Sequence, residues 1–156
     1  MEELGEVYGM DLRKGGKKQE LLNSISLLEG KMLEAKHINF SEVESQLFYA
    51  KMMLEGECYD DAGEMIEKCR EALDKKMLRY DLLVSTIEKA KRQMSRAEEM
   101  EGDLSLARAQ LDQAERYFTS GEYKKGVSHA MKAVEAAKAE VSKYKSWRTE
   151  LDSWKE

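Results

Sequence analysis

The sequence contains no proline, although a chain of 156 residues with average composition would carry about eight. Proline interrupts helix interiors because it lacks a backbone N–H and its ring clashes with the preceding turn. Phenylalanine and β-branched residues are also sparse, so a β-sheet is not expected. Ala, Glu, Lys, Leu and Met, which favour helices, are abundant instead. The composition therefore predicts an all-α protein that is helical nearly throughout.

Residues that commonly carry catalysis or bind ligands are equally scarce. The two cysteines, Cys58 and Cys69, lack zinc-site spacing, and two histidines leave no serine–histidine–acid or cysteine–histidine set to assemble. No glycine-rich phosphate loop occurs. These absences predict a non-enzymatic protein with no cofactor, no metal and no small-molecule substrate.

Basic charge and long apolar runs are also lacking. The net charge of −5 argues against nucleic acid as a partner, since phosphate binding needs a basic face. No run of 18 apolar residues occurs, so we expect no membrane span. The acidic start "MEELGEVYGM" has no continuous apolar core, unlike a signal peptide. A cytoplasmic location is the expectation that follows.

Two alternative functions rest on small motifs. Glu34 and His37 form an ExxH pair, the spacing used by four-helix-bundle metal proteins, but the other histidine, His129, has no glutamate three residues before it. The stretch "RKGGKK", which ends at residue 18, could bind an anionic polymer. It belongs to residues 1–18, whose glycines and lack of sustained periodicity predict a flexible N-terminal arm.

From Gln19 onward, apolar residues recur at alternating steps of three and four, which is the pattern of one helix face. The stripe of the first helix is followed by "HINFSEVE", where Asn39 can adopt a left-handed stop and Ser41 with Glu44 can form a capping box. Later stripes are broken at Gly56, Gly102 and Gly121. The predicted core comprises Leu21, Ile25, Leu28, Met32, Ala35, Val43, Leu47, Ala50, Leu54, Ala62, Ile66, Cys69, Leu73, Tyr80, Leu83, Ile87, Ala90, Met94, Ala97, Leu104, Ala107, Leu111, Ala114, Phe118, Val127, Ala130, Val134, Ala137, Val141 and Tyr144.

One helix is predicted to be unusually long. No glycine occurs between Gly63 and Gly102, and the apolar stripe is interrupted only near Lys76. The pattern favours a single helix of about 40 residues over residues 60–101, roughly 60 Å in length. A break near Lys76 remains open, although no helix-breaking residue requires one.

A shift of 64 residues aligns the sequence with itself. The aligned pairs include Gln46 with Gln110, Leu47 with Leu111, Ala50 with Ala114, Tyr59 with Tyr123, Lys68 with Lys132, and Tyr80 with Tyr144. With a two-residue slip, Ile25, Met32 and Ala35 align with Ile87, Met94 and Ala97. We therefore expect an elongated antiparallel array of two three-helix repeats, residues 19–80 and 81–156, which share the long helix. The second repeat includes an extension of its last helix.

The stretch "SGEYKKGVSHAMKAVEAA" resembles the turn and second helix of a tetratricopeptide hairpin, with Gly121, Tyr123, Gly126 and Ala133 in similar places. The period differs, since 64 is not 34. The chain is also similar to acidic helical-hairpin repeats of archaeal proteins, and its long shared helix is similar in plan to spectrin repeats. These resemblances imply a protein-binding scaffold, with no residue-level peptide site carried over.

The candidate interaction surface lies on the last helix, where Tyr144, Trp147, Leu151 and Trp154 share one face. The last three align with Leu83, Ile87 and Ala90, which lead into the second repeat and pack there. No third repeat follows, so we expect the stripe either to bind a protein partner or another copy of this chain, or to be covered by the first helix or the arm. Residues 55–74 are acidic and residues 122–148 basic, which we interpret as solvated helix faces.

Overall fold

The computed structural model describes the backbone of residues 2–155 and the side chains of residues 16–154. The described chain is all-α, with 88% of its residues in five helices and no strand in that part of the chain. The helices are α1 (Glu2–Glu34), α2 (Ser41–Glu55), α3 (Tyr59–Glu99), α4 (Ser105–Ser120) and α5 (Tyr123–Lys155). The all-α prediction is confirmed.

The long helix is also confirmed, because α3 runs 41 residues without a break at Lys76. The chain divides into two compact units, Met1–Met77 and Leu78–Glu156, so α3 contributes its first part to one unit and its second part to the other. The absence of proline, and of glycine between Gly63 and Gly102, explains the continuity of α3, since nothing in its sequence removes a backbone hydrogen bond.

Helix α1 begins at Glu2, which differs from the sequence-based expectation that the first helix begins near Gln19. Most of the segment interpreted as an arm, residues 1–18, is therefore helical. The four glycines between residues 5 and 16 lower helix propensity by about 1 kcal/mol each relative to alanine. That penalty does not forbid a helix as proline would, and Glu, Lys and Leu between the glycines favour one.

In the first unit, α2 buries the four residues that its periodicity predicts, namely Val43, Leu47, Ala50 and Leu54. Helices α1 and α3 run in the same direction, because Lys17 binds Asp60 at 2.6 Å and Leu21 lies beside Gly63 three residues further along α3. The stripe of α3 is fully buried at Ala62, Ile66, Cys69 and Leu73. Three helices thus enclose one apolar core.

The second unit consists of the second part of α3, α4 and α5. Ala90, Leu111, Ala133 and Val134 form one buried cluster drawn from all three helices. Ala97, Leu104 and Val141 form the next cluster. At the opposite end the rings of Tyr80, Phe118 and Tyr123 meet, with centroids 5.2–6.1 Å apart. Aromatic packing of this kind adds stability beyond burial alone.

The turns that precede α3 and α5 have the same backbone hydrogen bonds at positions 64 residues apart. The N–H of Cys58 donates to the carbonyl of Met53 at 2.8 Å, and the N–H of Glu122 donates to that of Tyr117 at 2.9 Å. A left-handed residue lies just before each donor: Glu57 at φ 61° and Gly121 at φ 82°. Only glycine adopts this conformation without steric penalty.

The starts of α2 and α4 match in the same way. The side-chain Oδ1 of Asn39 accepts hydrogen bonds from the N–H and hydroxyl of Ser41, and Oδ1 of Asp103 accepts the corresponding pair from Ser105. The predicted capping box of Ser41 is wrong, because its hydroxyl donates backward to Asn39 instead of accepting from α2. Asn39 is not left-handed either, since an Asx-type turn already satisfies the local donors.

Candidate protein-interaction surfaces

The stripe of α5 changes from buried to exposed along the helix. Val141 is buried and Tyr144 half-buried, whereas the side chains of Trp147, Leu151 and Trp154 are 58%, 37% and 88% exposed. Both tryptophan side chains are therefore more than half exposed among the described residues. An exposed pair of tryptophans on one helix face is unusual for a surface that contacts only water.

Local contacts hold the first turn of this stripe in place. The rings of Tyr144 and Trp147 lie with centroids 6.1 Å apart. A guanidinium N–H of Arg148 donates to the Tyr144 hydroxyl at 3.3 Å. Because these residues sit three and four positions apart on a helix, the contacts follow from the helix geometry alone. We call Tyr144, Trp147, Leu151 and Trp154 the α5 stripe.

The residues of α3 that align with the α5 stripe are covered by α4 and α5. Leu83 and Ala90 are fully buried, and Ile87 packs against the cluster that α4 and α5 contribute. An added Cβ at Gly126 of α5 would lie 2.7 Å from a methyl group of Leu83. This close approach leaves no room for a tryptophan at the Leu83 position. A partner of the α5 stripe therefore needs a wider recess than the one α4 and α5 provide for α3.

The sequence analysis missed a second apolar surface, a groove of the first unit between the end of α1 and α2. The groove is lined by Glu29, Met32, Leu33, Lys36, Ile38, Phe40, Glu44, Leu47, Phe48 and Lys51. Ile38, Phe40 and Leu47 form a buried floor, whereas Leu33 and Phe48 are 65% and 61% exposed. Apolar residues just outside the core stripe were the signal that could have revealed it. We call this the α1–α2 groove.

Charged residues border the groove on both sides, and one pair bridges it. The Lys51 ammonium binds the Glu29 carboxylate at 2.5 Å. In the second unit Lys91 binds Glu115 at 3.6 Å. These residues occupy the positions that align with Glu29 and Lys51, but their charges are reversed.

The apolar walls of the groove also have no counterpart in the second unit. Under the shifts found in the sequence, Ser95 aligns with Leu33 and Asp112 aligns with Phe48. The corresponding surface of the second unit is therefore polar. Exposed leucine and phenylalanine side chains are not required on a helix face that contacts only water. Their presence in the first unit, and their replacement by polar residues in the second, therefore indicate that the groove is specific to the first unit.

An acidic stripe lies on the outer face of α3 in the first unit. Its exposed members are Asp60, Glu64, Glu67, Glu71 and Asp74. The Lys17 ammonium, through its hydrogen bond and its charge, holds the pKa of Asp60 below its usual range. Arg70 pairs with Glu67 on the same helix. These surface ion pairs with neighbouring cations are as expected for a solvated face.

The ExxH pair does not share a helical face in the structure. Helix α1 ends at Glu34, and His37 lies in the following turn. Among the described residues, no group of three or more His, Cys, Asp or Glu side chains is placed to hold a metal ion. His129 lies instead at α4 and α5, where its Nδ1 is 2.7 Å from Gln110 Oε1 and its ring stacks on Tyr117.

The two remaining sequence motifs are the basic stretch near the N-terminus and the cysteines. In the basic stretch, Lys17 binds Asp60, whereas the side chains of Arg13 and Lys14 lie outside the described residues. Cys58 is exposed and Cys69 is buried, and burial raises the pKa of the Cys69 thiol. Neither residue lines the groove. Across residues 2–155, no helix combines the length and apolar content that crossing a membrane requires.

Comparison with known proteins gives no family for this chain. No protein-family model matches it, no curated protein matches it significantly, and neither does any solved structure. Function must therefore be inferred from the two surfaces themselves.

Proposed function

We propose that the chain is built from two copies of a three-helix unit of the tetratricopeptide-like kind, joined through α3. The support lies in matched details 64 residues apart. Ser41 and Ser105 begin α2 and α4, Tyr59 and Tyr123 begin α3 and α5, and the turns before these helices share hydrogen bonds. Repeats of this kind bury their apolar stripes against neighbouring helices. An uncovered stripe is then a surface that a further helical element can fill.

The function that these surfaces support best is that of a non-enzymatic scaffold that binds protein through helix faces, with a second copy of the chain as its first partner. The observation that carries this proposal is the exposure of Trp147, Leu151 and Trp154 on one face. Tryptophan is enriched at the energetic centres of protein interfaces. Burying these side chains would remove apolar surface from water, which drives association.

Sedimentation velocity over a range of concentrations tests the proposal. The wild type is compared with the double variant Trp147→Ala, Trp154→Ala. We expect the wild type to associate and the variant to do so at least about 30-fold more weakly, because removing interface tryptophans typically costs 2 kcal/mol or more. Circular dichroism should show equal helicity in both proteins, since neither side chain lies in the described core.

A control variant separates the stripe from general surface apolarity. Leu78 and Leu106 are 70% and 62% exposed and lie outside the α5 stripe. The double variant Leu78→Ala, Leu106→Ala should associate as the wild type does. The proposal is rejected if the wild type is monomeric at every concentration, or if the control variant loses association as strongly as the tryptophan variant.

A further inference from the structure

We propose that the α1–α2 groove of one copy receives the α5 stripe of a second copy, which makes the association head to tail. The inference rests on the proposed function and adds the acceptor surface to it. The groove and the stripe are different surfaces of the same chain, so each copy offers one of each. An interface of this type is heterologous, and it leaves a free groove at one end of a pair and a free stripe at the other.

The apolar side chains of the α5 stripe suit the apolar floor and walls of the α1–α2 groove. A helix that docks in a groove presents large side chains at steps of three and four, as Trp147, Leu151 and Trp154 do. The groove has a buried apolar floor and apolar walls, with Phe48 and Leu33 exposed on its two sides. Unlike the recess over Leu83, which Gly126 closes, this groove is open to solvent. Its volume of about 580 Å³ leaves room for tryptophan side chains.

The charges at the edges also match, and they set a direction. Glu29 and Lys36 lie seven residues apart on the α1 edge of the groove, an acid followed by a base. Lys143 and Glu150 lie seven residues apart on one flank of the α5 stripe, a base followed by an acid. When α5 of the second copy runs in the direction of α1 with its stripe inward, the right-handed helix turns this flank toward α1. Lys143 then faces Glu29, and Glu150 faces Lys36.

The opposite flank is complementary in the same orientation. Arg148 lies on the other side of the α5 stripe, and the α2 edge of the groove carries Glu44 at the end nearest Lys36. The reverse orientation would set Lys143 against Glu44, Glu150 against Lys51 and Arg148 against Glu29, and Glu29 and Lys51 already bind each other. Outside the existing Glu29–Lys51 pair, the direction parallel to α1 forms two ion pairs, Glu150 with Lys36 and Arg148 with Glu44. The reverse direction forms one, Lys143 with Glu44.

Packing of one α5 stripe against another is less favourable in charge. An antiparallel pair that aligns all four stripe residues brings Glu150 near the second copy's Glu150 and Arg148 near the second copy's Arg148. A parallel pair brings Lys143 near the second copy's Arg148. Like charges that face each other across a helix pair oppose association. The groove has complementary edges instead.

A mixing experiment tests the proposal directly. The groove variant Leu33→Ser, Phe48→Asp carries the residues that align with these positions in the second unit, so it should remain folded. The stripe variant is Trp147→Ala, Trp154→Ala. We expect each variant alone to associate at least about 30-fold more weakly than the wild type. Mixed in equal amounts, they should form a one-to-one dimer that does not grow, because each supplies the surface that the other lacks.

The outcomes separate the inference from the proposed function. If the groove variant associates like the wild type while the stripe variant does not, the groove is not the acceptor and the scaffold function stands. If both variants lose association and the mixture stays monomeric, the head-to-tail arrangement is wrong. If the stripe variant associates like the wild type, both proposals fail.

A charge-swap pair gives a second test that leaves the apolar residues intact. Lys36→Glu and Glu150→Lys should each weaken association about two- to fivefold, the range of single surface ion pairs. The double variant should recover the wild-type affinity, because the pair is restored with its charges exchanged. Loss in each single variant without recovery in the double variant would overturn the proposed direction and pairing.

Discussion

Leu83 of α3 and Gly126 of α5 approach so closely that any larger residue at position 126 would have to displace the Leu83 side chain. A Cβ at this position would lie 2.7 Å and 3.2 Å from the two methyl groups of Leu83, and 3.4 Å from the carbonyl oxygen of Ala114. The contact fixes the spacing of three helices at one point of the second unit. Glycine is otherwise a poor helix residue, so its presence inside α5 is explained by this packing.

Gly126→Ala should lower the free energy of unfolding by about 1–2 kcal/mol, because overpacking outweighs the gain in helix propensity. Gly30 is the matched control, since a Cβ there meets nothing within 4 Å. Gly30→Ala should raise stability by about 0.5–1 kcal/mol. Urea unfolding followed by circular dichroism measures both. Equal effects of the two substitutions would show that the contact with Leu83 does not limit the packing.

Glu57 and Gly121 occupy the same left-handed turn position in the two units, and only one of them is glycine. A non-glycine residue in this conformation loses roughly 1–2 kcal/mol. We expect Glu57→Gly to stabilise the protein by about 0.5–1 kcal/mol after the greater freedom of unfolded glycine is included. Gly121→Ala should destabilise it. Thermal unfolding measures both changes, and the turn argument fails if Glu57→Gly lowers the melting temperature.

Gln46 and Gln110 also align, but only Gln110 has a described side-chain partner. Gln110 lies 2.7 Å from His129, whereas the buried Oε1 of Gln46 has none. Gln46→Leu should raise the free energy of unfolding by about 1 kcal/mol, because it removes an unsatisfied buried acceptor. Gln110→Leu should lower it by about 1–2 kcal/mol, since His129 loses its partner. Chemical denaturation gives both values, and a loss of stability in Gln46→Leu would contradict the assignment.

Asp103 and Asn39 make the same hydrogen bonds to a following serine, but only Asp103 titrates. The hydrogen bond from the Ser105 hydroxyl and that from its N–H lower the pKa of Asp103 from its ordinary value of 3.8. The ionised carboxylate therefore stabilises the folded state above that value, and the stabilisation is lost as the pH falls through the lowered pKa.

Asp103→Asn should remove this dependence while it keeps the bonds that Asn39 already makes in the first unit. Stability measured by urea unfolding between pH 5 and pH 2 is compared for the two proteins. The wild type should lose more stability on acidification than the variant. Parallel pH profiles would mean that Asp103 has the same pKa in the folded and unfolded states.

The sequence alone determined the helices from Gln19 onward and most of the residues that form their core. Proline is absent and the apolar spacing is regular, so backbone hydrogen bonding continues through α3 and its stripe at Ala62, Ile66, Cys69 and Leu73 is buried as predicted. The self-alignment of the sequence at a shift of 64 residues was visible because the same residue types recur at matching turns. The exposed tryptophan stripe was also named from its spacing, because helix periodicity places residues on a face without reference to other helices.

Only the tertiary structure decided what lies opposite each face. The α1–α2 groove joins residues of two helices, and the exposure of Leu33 and Phe48 depends on how far apart those helices lie. The contact between Leu83 and Gly126 is likewise set by helix spacing. The predicted start of α1 was wrong because the low helix propensity of each glycine was considered without the helix-favouring residues around it. The predicted capping box of Ser41 was wrong because the Ser41 hydroxyl binds Asn39 instead. Periodicity specifies faces, whereas distances between faces arise only when the helices pack.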